Sequence, residues 1–232
     1  MAEDVDRYLF DLTADEIHVW QAWLRLPRER LADLRAYLSP DEIARAERLR
    51  FEADRRQFIT ARGILRELCG NYASMPPEQV RFATDEHGKP CVDNLPPGLD
   101  LRFNLAHSAD VALYAFALGA EVGIDLEAFQ PGFGDARIEA SLLPPEVIAR
   151  LLDVFEDDRQ QAFLEEWTGR EAVAKATGLG MAHFLEGGAD PGRMRGWEVV
   201  FLPRIDGYVC ALARPQGRWR VRCLLWGPNV IS

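Results

Sequence analysis

Val111-Ala-Leu-Tyr-Ala-Phe-Ala-Leu-Gly-Ala-Glu-Val-Gly-Ile-Asp-Leu-Glu127 decides the fold class. The stretch is apolar from Val111 to Leu118, breaks at Gly119-Ala-Glu, and resumes from Val122 to Leu126, which is the pattern of two successive strands. In the second strand Asp125 and Glu127 are two residues apart, and on a strand that spacing puts both carboxylates on one face. Two like charges side by side repel and lose solvation, so a strand that keeps them beside Val122, Ile124 and Leu126 points to a cation between them. A third carboxylate follows in Trp167-Thr-Gly-Arg-Glu171-Ala-Val-Ala-Lys175-Ala. Together the three make a candidate oxygen-only Mg²⁺ site with an adjacent lysine.

Upstream, Ile17-His-Val-Trp20 reads as a strand. Ser39-Pro-Asp-Glu42 then has the form of a capping box with proline in the first turn, and it opens a helical region. That region carries Arg45, Arg48 and Arg50 as far as Phe51, and resumes from Asp54 to Leu68 on an apolar stripe of Phe58, Ile59, Leu65 and Leu68. Turn-rich sequence follows at Met75-Pro-Pro, Thr84-Asp-Glu-His-Gly-Lys-Pro90 and Asn94-Leu-Pro-Pro-Gly98, with a strand from Leu101 to Leu105. Downstream, helices are expected over 145–152 and 159–177, and strands over 197–202, 208–213 and 219–225. The order is helices and strands twice over. Val19 precedes Arg62 much as Asp125 precedes Glu171, which suggests an internal repeat and a pseudo-dimer with a cleft between its halves.

The 232 residues are 48% hydrophobic and 28% charged, enough for one large core or two small ones. A formal net charge of −10 excludes a chain that holds nucleic acid by its overall charge. The opening Met-Ala-Glu-Asp-Val-Asp-Arg lacks a basic segment leading into an apolar one, and no run approaches ~18 apolar residues, so a cytoplasmic protein without a membrane span is expected. Cys69, Cys91, Cys210 and Cys223 form no Cys-x-x-Cys pair and read as small buried apolar residues. His18, His87, His107 and His183 show no ligand spacing.

Four motifs carry a resemblance: Gly88-Lys-Pro90, Phe103-Asn-Leu-Ala-His-Ser108, Val122-Gly-Ile-Asp-Leu-Glu127 and Trp167-Thr-Gly-Arg-Glu-Ala-Val-Ala-Lys-Ala176. In that order and spacing the chain resembles the Sfp-type 4′-phosphopantetheinyl transferases over at least residues 38–180. The resemblance implies an α+β fold of two similar halves, 1–119 and 120–232, with the active site in the cleft. It implies transfer of the phosphopantetheine arm of coenzyme A to a serine of an acyl, peptidyl or polyketide carrier protein, with release of 3′,5′-adenosine bisphosphate. It further implies Asp125, Glu127 and Glu171 as Mg²⁺ ligands, and Glu171, or a metal-bound water beside it, as the base. Lys175, at i+4 from Glu171 and so on the same helix face, is placed to reach the pyrophosphate. His107, read as lying between strands, is implied at the 3′-phosphate of coenzyme A, with Arg45, Arg62 and Lys89 at the same bisphosphate end. A chain with a built-in pseudo-dimer is expected to be a monomer.

Other readings compete. The same carboxylates suit a metal-dependent hydrolase of nucleotide pyrophosphates, and the same fold suits a coenzyme A or carrier-binding protein without turnover. Arg45, Arg48 and Arg50 read in isolation as a solvated helix face, and Arg62 as a partner for Glu67 or a neighbouring acid. Trp167 reads as core packing beside the site. Arg170 stands where the resembling family most often has lysine, which changes hydrogen-bond geometry at constant charge. Ser141-Leu-Leu-Pro-Pro-Glu146 is a loose form of that family's helix start. Carrier docking is expected on the second half near the cleft mouth, with the loop between Phe129 and Ile138 as its reader.

Overall fold

Helix, sheet, sheet, helix is the layer order of the protein, and the apolar run at Val111 lies in the middle of it. The computed structural model describes residues 9–85, 88–129, 143–180 and 195–227. In the first sheet β1 (Glu16–Trp23) pairs antiparallel with β5 (Val111–Leu118), which pairs antiparallel with β4 (Leu101–Ser108). The second sheet has the order β6 (Gly123–Ala128), β8 (Tyr208–Pro215), β7 (Trp197–Phe201), all antiparallel. The last strand, β9 (Arg220–Leu225), crosses back to pair parallel with β1 at the edge of the first sheet. A small ribbon of β2 (Phe82–Thr84) and β3 (Pro90–Val92) fills the turn-rich segment.

Alternation along β5 explains its uninterrupted apolar character. Ala112, Tyr114 and Phe116 face a core shared with the first helical layer, while Val111, Leu113, Ala115 and Ala117 face Val122, Ile124, Leu126 and Leu212 of the second sheet. A strand buried on both faces has no polar face to show. The first helical layer is α1 (Arg28–Ala36), α2 (Pro40–Glu47) and the 22-residue α3 (Glu52–Ala73). The second is α4 (Pro145–Leu152) and α5 (Glu156–Thr177), also 22 residues long. Each half thus lays a long helix on a sheet, the α+β arrangement expected.

The expected capping box is present: Ser39 accepts from the Glu42 N–H, and the Glu42 carboxylate accepts from the Ser39 N–H at 2.9 Å. Three details differ from expectation. The helical pattern read as one run through Phe51 ends at Glu47, and α3 starts afresh at Glu52. Val19 and Asp125, which hold similar places before their long helices, do not share an orientation, because Val19 faces the second sheet whereas Asp125 faces away from the first. His107 is not between strands but inside β4, opposite Ala112. The β4–β5 turn is only Ala109-Asp110, with Ala109 in the left-handed region (φ 46°), so the ladder continues through Ser108. Among the cysteines Cys69 and Cys210 are buried, but Cys223 on β9 is exposed. Among the described residues no helix is long and apolar enough to cross a membrane.

Candidate active site

Val122, just before β6, and Ile124 and Leu126 within it alternate into the core between the sheets, which leaves Gly123, Asp125 and Glu127 on the side covered by α5. The helix comes close because the contact residues are small: Ala172, Ala174 and Ala176 lie on Ala211 and Ala213 of β8. At Gly123 the approach is closest. A Cβ there would lie 1.9 Å from the Ala172 carbonyl oxygen and 2.5 Å from the Ala176 nitrogen, so only glycine fits. Glu171 and Lys175 immediately precede those two alanines, and the contact at Gly123 therefore sets where both side chains stand relative to Asp125.

Asp125 is only 4% exposed. Its Oδ1 accepts from Lys175 Nζ at 2.6 Å, while its Oδ2 is buried without a hydrogen-bond partner. Glu127 Oε2 accepts from the Ser108 hydroxyl at 3.2 Å, and that hydroxyl oxygen accepts from the Ala128 N–H at 3.2 Å. Asn104 Oδ1 accepts from the Ile124 N–H at 2.9 Å. Asn104, Ala106 and Ser108 alternate onto one face of β4, so two residues of the Phe103–Ser108 motif stitch the sheets together beside the carboxylates. The sequence pattern by itself assigns neither a role. Two short polar residues, Asn104 and Ser108, in phase with Ala106 on one face of the strand are the signal that marks them.

Burial pushes the Asp125 carboxyl up to about 7 against an ordinary 3.8; Lys175 pulls it down, and Glu127 and Glu171 push it further up. Burial likewise raises Glu171, with Lys175 opposing and Glu127 adding. A carboxyl whose folded pKa lies above its unfolded value stabilises the fold below about pH 4, and that stability is lost as pH rises through about 7. The protein thus holds three carboxylates whose charges are mutually unfavourable and one buried oxygen with no donor. An oxygen-only donor set with an unpartnered acceptor fits a hard divalent cation. Among the described residues no three acidic, histidine or cysteine side chains already converge as a ligand set, and the Lys175 ammonium is the cation now nearest Asp125.

The other predicted residues are more dispersed. His107 is exposed; partial desolvation lowers its pKa, and the Lys175 ammonium lowers it further. Arg62 donates from Nε to Glu42, which lies on α2, and its guanidinium lies 3.9 Å from the centre of the Phe82 ring. Glu67 pairs instead with Arg30 at 2.9 Å. Arg45 is exposed, 5.3 Å above the Phe58 ring. Lys89 is buried, and its ammonium donates to Glu121, to the Val122 carbonyl at 3.0 Å and to the Ala176 carbonyl at 3.4 Å. Among the described residues no hydrogen bond or ion pair joins Arg45, Arg62 or Lys89 to His107. Arg170 is also buried, pairs with Glu166 at 3.4 Å and lines a separate groove with Val199 and Phe201. Trp167 stacks on Phe163 in the core beneath α4, the packing role expected. The expected carrier-reading loop beyond Phe129, and the start of the Ser141 helix motif, lie outside the described residues.

Two family models match the chain: the 4′-phosphopantetheinyl transferase N-terminal domain over residues 21–118 and the 4′-phosphopantetheinyl transferase superfamily over residues 121–221. The chain is 35% identical to 4′-phosphopantetheinyl transferase HetI of a Nostoc species, across 90% of this chain and 92% of the relative. It is 31% identical to 4′-phosphopantetheinyl transferase psf-1 of Bacillus pumilus, across 68% of this chain and 65% of the relative. With 4′-phosphopantetheinyl transferase Sfp of Bacillus subtilis it shares 25% identity across 68% of this chain and 67% of the relative. With similarity running through both halves and the carboxylate cluster on the β6 and α5 motifs, the chain belongs to the 4′-phosphopantetheinyl transferase superfamily.

Proposed function

We propose that the protein transfers the 4′-phosphopantetheine arm of coenzyme A to a serine hydroxyl of an acyl, peptidyl or polyketide carrier domain. The observation that carries this reading is Asp125: buried, with one oxygen unpartnered, and within electrostatic range of Glu127, Glu171 and Lys175. Serine Oγ attacks the β-phosphorus of the pyrophosphate, a new P–O bond forms, and the bond to the bridging oxygen breaks so that 3′,5′-adenosine bisphosphate leaves. Asp125, Glu127 and Glu171 would hold Mg²⁺, which when bound supplies charge stabilisation for the pyrophosphate oxygens. Glu171 takes the serine proton as the general base of the step. The Lys175 ammonium offsets the carboxylate cluster and stands beside the reacting phosphates. Product analysis tests the reading: adenosine bisphosphate appears only when an apo carrier domain is present, whereas release from coenzyme A alone would identify a pyrophosphate hydrolase.

Mg²⁺ is expected to stabilise the protein more at pH 8 than at pH 5, because the competing proton sits on Asp125 below about 7. At ~100-fold excess over the dissociation constant, binding contributes about 2.7 kcal/mol. That corresponds to a rise of roughly 5–10 °C in melting temperature for a chain of this size. Asp125→Asn abolishes the Mg²⁺ response and, without metal at pH 8, melts no lower than the parent. An Asp125→Asn protein that still responds to Mg²⁺ would remove Asp125 from the ligand set.

Arg45, Arg62 and His107 are the proposed contacts to the bisphosphate end of coenzyme A. A neutral His107 that meets a phosphate gains a proton on binding, so coenzyme A affinity rises as pH falls through the ordinary histidine range. Calorimetry across pH 5.5–8 is expected to show this slope in the parent and its loss in His107→Gln. The variant should also raise KM for coenzyme A by about tenfold while leaving kcat within about threefold.

A further inference from the structure

We infer that Lys89 is a positioning residue for the transfer, holding α5 on β6 from the opposite half of the chain, and not a contact to coenzyme A. The inference rests on the transferase reading above. A lysine ammonium has three donors and no acceptor, and all three are committed. One goes to the Glu121 carboxylate, one to the Val122 carbonyl immediately before Gly123, and one to the Ala176 carbonyl immediately after Lys175. The side chain is 8% exposed, so no donor remains to face a ligand in solvent. Glu121 is in turn held by Arg102 of β4 at 2.8 Å, which ties the clamp to the edge of the first sheet.

The location gives the clamp its consequence. Ala176 lies in the last turn of α5, where backbone carbonyls lack helical partners and the helix dipole favours a positive charge. Gly123 is also where the strand meets the helix tightly, against the Ala172 carbonyl oxygen and the Ala176 nitrogen. Lys89 therefore bonds to the carbonyls on either side of that contact and fixes the helix against sliding along β6. Lys175 is adjacent to the clamped Ala176, and Glu171 is one helical turn further. A shift of α5 by a fraction of an ångström moves both relative to Asp125, and catalytic geometry is sensitive on that scale.

Steady-state kinetics of Lys89→Met and Glu121→Gln, with coenzyme A and with 3′-dephospho-coenzyme A, separate positioning from phosphate contact. Positioning predicts that Lys89→Met lowers kcat about tenfold or more, keeps KM for coenzyme A within about threefold, and preserves the preference between the two substrates. Glu121→Gln is expected to lower kcat in the same sense, and the double variant to lose less than the product of the two effects. A rise in KM with collapse of the preference for coenzyme A would overturn the inference, as would an unchanged kcat in both variants. Hydrogen exchange reads the clamp without turnover. Faster exchange confined to the last turn of α5 and the start of β6 supports it, and unchanged exchange there counts against it. Should Lys89→Met fail to fold, Glu121→Gln, which removes a single half-exposed partner, gives both readouts. A parent protein that transfers nothing to any carrier would instead overturn the transferase reading, leaving the exchange result to decide the clamp.

Discussion

Glu171→Gln is expected to lower the transfer rate by about 10²–10⁴, the range for loss of a positioned general base. The same change is expected to leave the fold as stable or make it more so. Glu171 sits half-buried near Glu127 and is harder to ionise than an ordinary glutamate, so its charge opposes folding in the absence of metal. Replacing it with an isosteric amide removes that repulsion and keeps the volume. A residue that costs stability and supports turnover is the signature of a functional carboxylate, and a structural one would show the reverse. Kinetics and thermal unfolding on the same preparation decide it. Activity within threefold of the parent would transfer the role of base elsewhere, and a large drop in melting temperature would make Glu171 a packing residue.

Gly123→Ala is expected to be the most damaging glycine-to-alanine change among the described residues. Its Cβ would sit 1.9 Å from one backbone oxygen and 2.5 Å from one backbone nitrogen of α5, neither of which can rotate away. Overpacking costs typically 1–3 kcal/mol even where side chains can adjust. With rigid backbone on the far side the upper end or more is expected, a fall of about 10 °C in melting temperature. Whatever protein folds has α5 displaced, and with it Glu171 and Lys175, so transfer should drop beyond what the unfolded fraction explains. Gly119→Ala is the control. That glycine has a positive φ of 64° but no atom within 4 Å of its Cβ position, so it costs only the left-handed backbone term of about 1–2 kcal/mol. Equal effects at the two positions would mean that α5 does not rest on Gly123.

What the sequence made legible follows from local physics. The Ser39 capping box, the long helices and the strand pattern each depend on neighbours a few residues apart, and each is found. The two carboxylates on one face of β6 follow from period two alone. Elements set by distant contacts were not legible. α1 has the sequence Arg-Glu-Arg-Leu-Ala-Asp-Leu-Arg-Ala with a single buried residue, Leu34. It is held by a close crossing at Gly63, where a Cβ would lie 2.6 Å from the Leu34 Cβ. The return of β9 to β1 pairs Arg220 with Glu16 across nearly the whole chain, and no local pattern encodes it. Lys89 shows the same limit within a site: its motif marked it as important, but its direction depends on two carbonyls supplied by β6 and α5. Arg62 shares that limit, since the acid it meets, Glu42, lies on a different helix.

The carboxylate cluster and the family membership meet in one experiment: intact mass of an apo carrier domain after incubation with the protein, coenzyme A and Mg²⁺, beside a chelator and Glu171→Gln. The account predicts a gain of one phosphopantetheine on the carrier with the parent protein and metal, abolished by chelation and greatly slowed by the substitution. A carrier that stays apo across acyl, peptidyl and polyketide types, or one that is modified equally well with metal chelated, would contradict it.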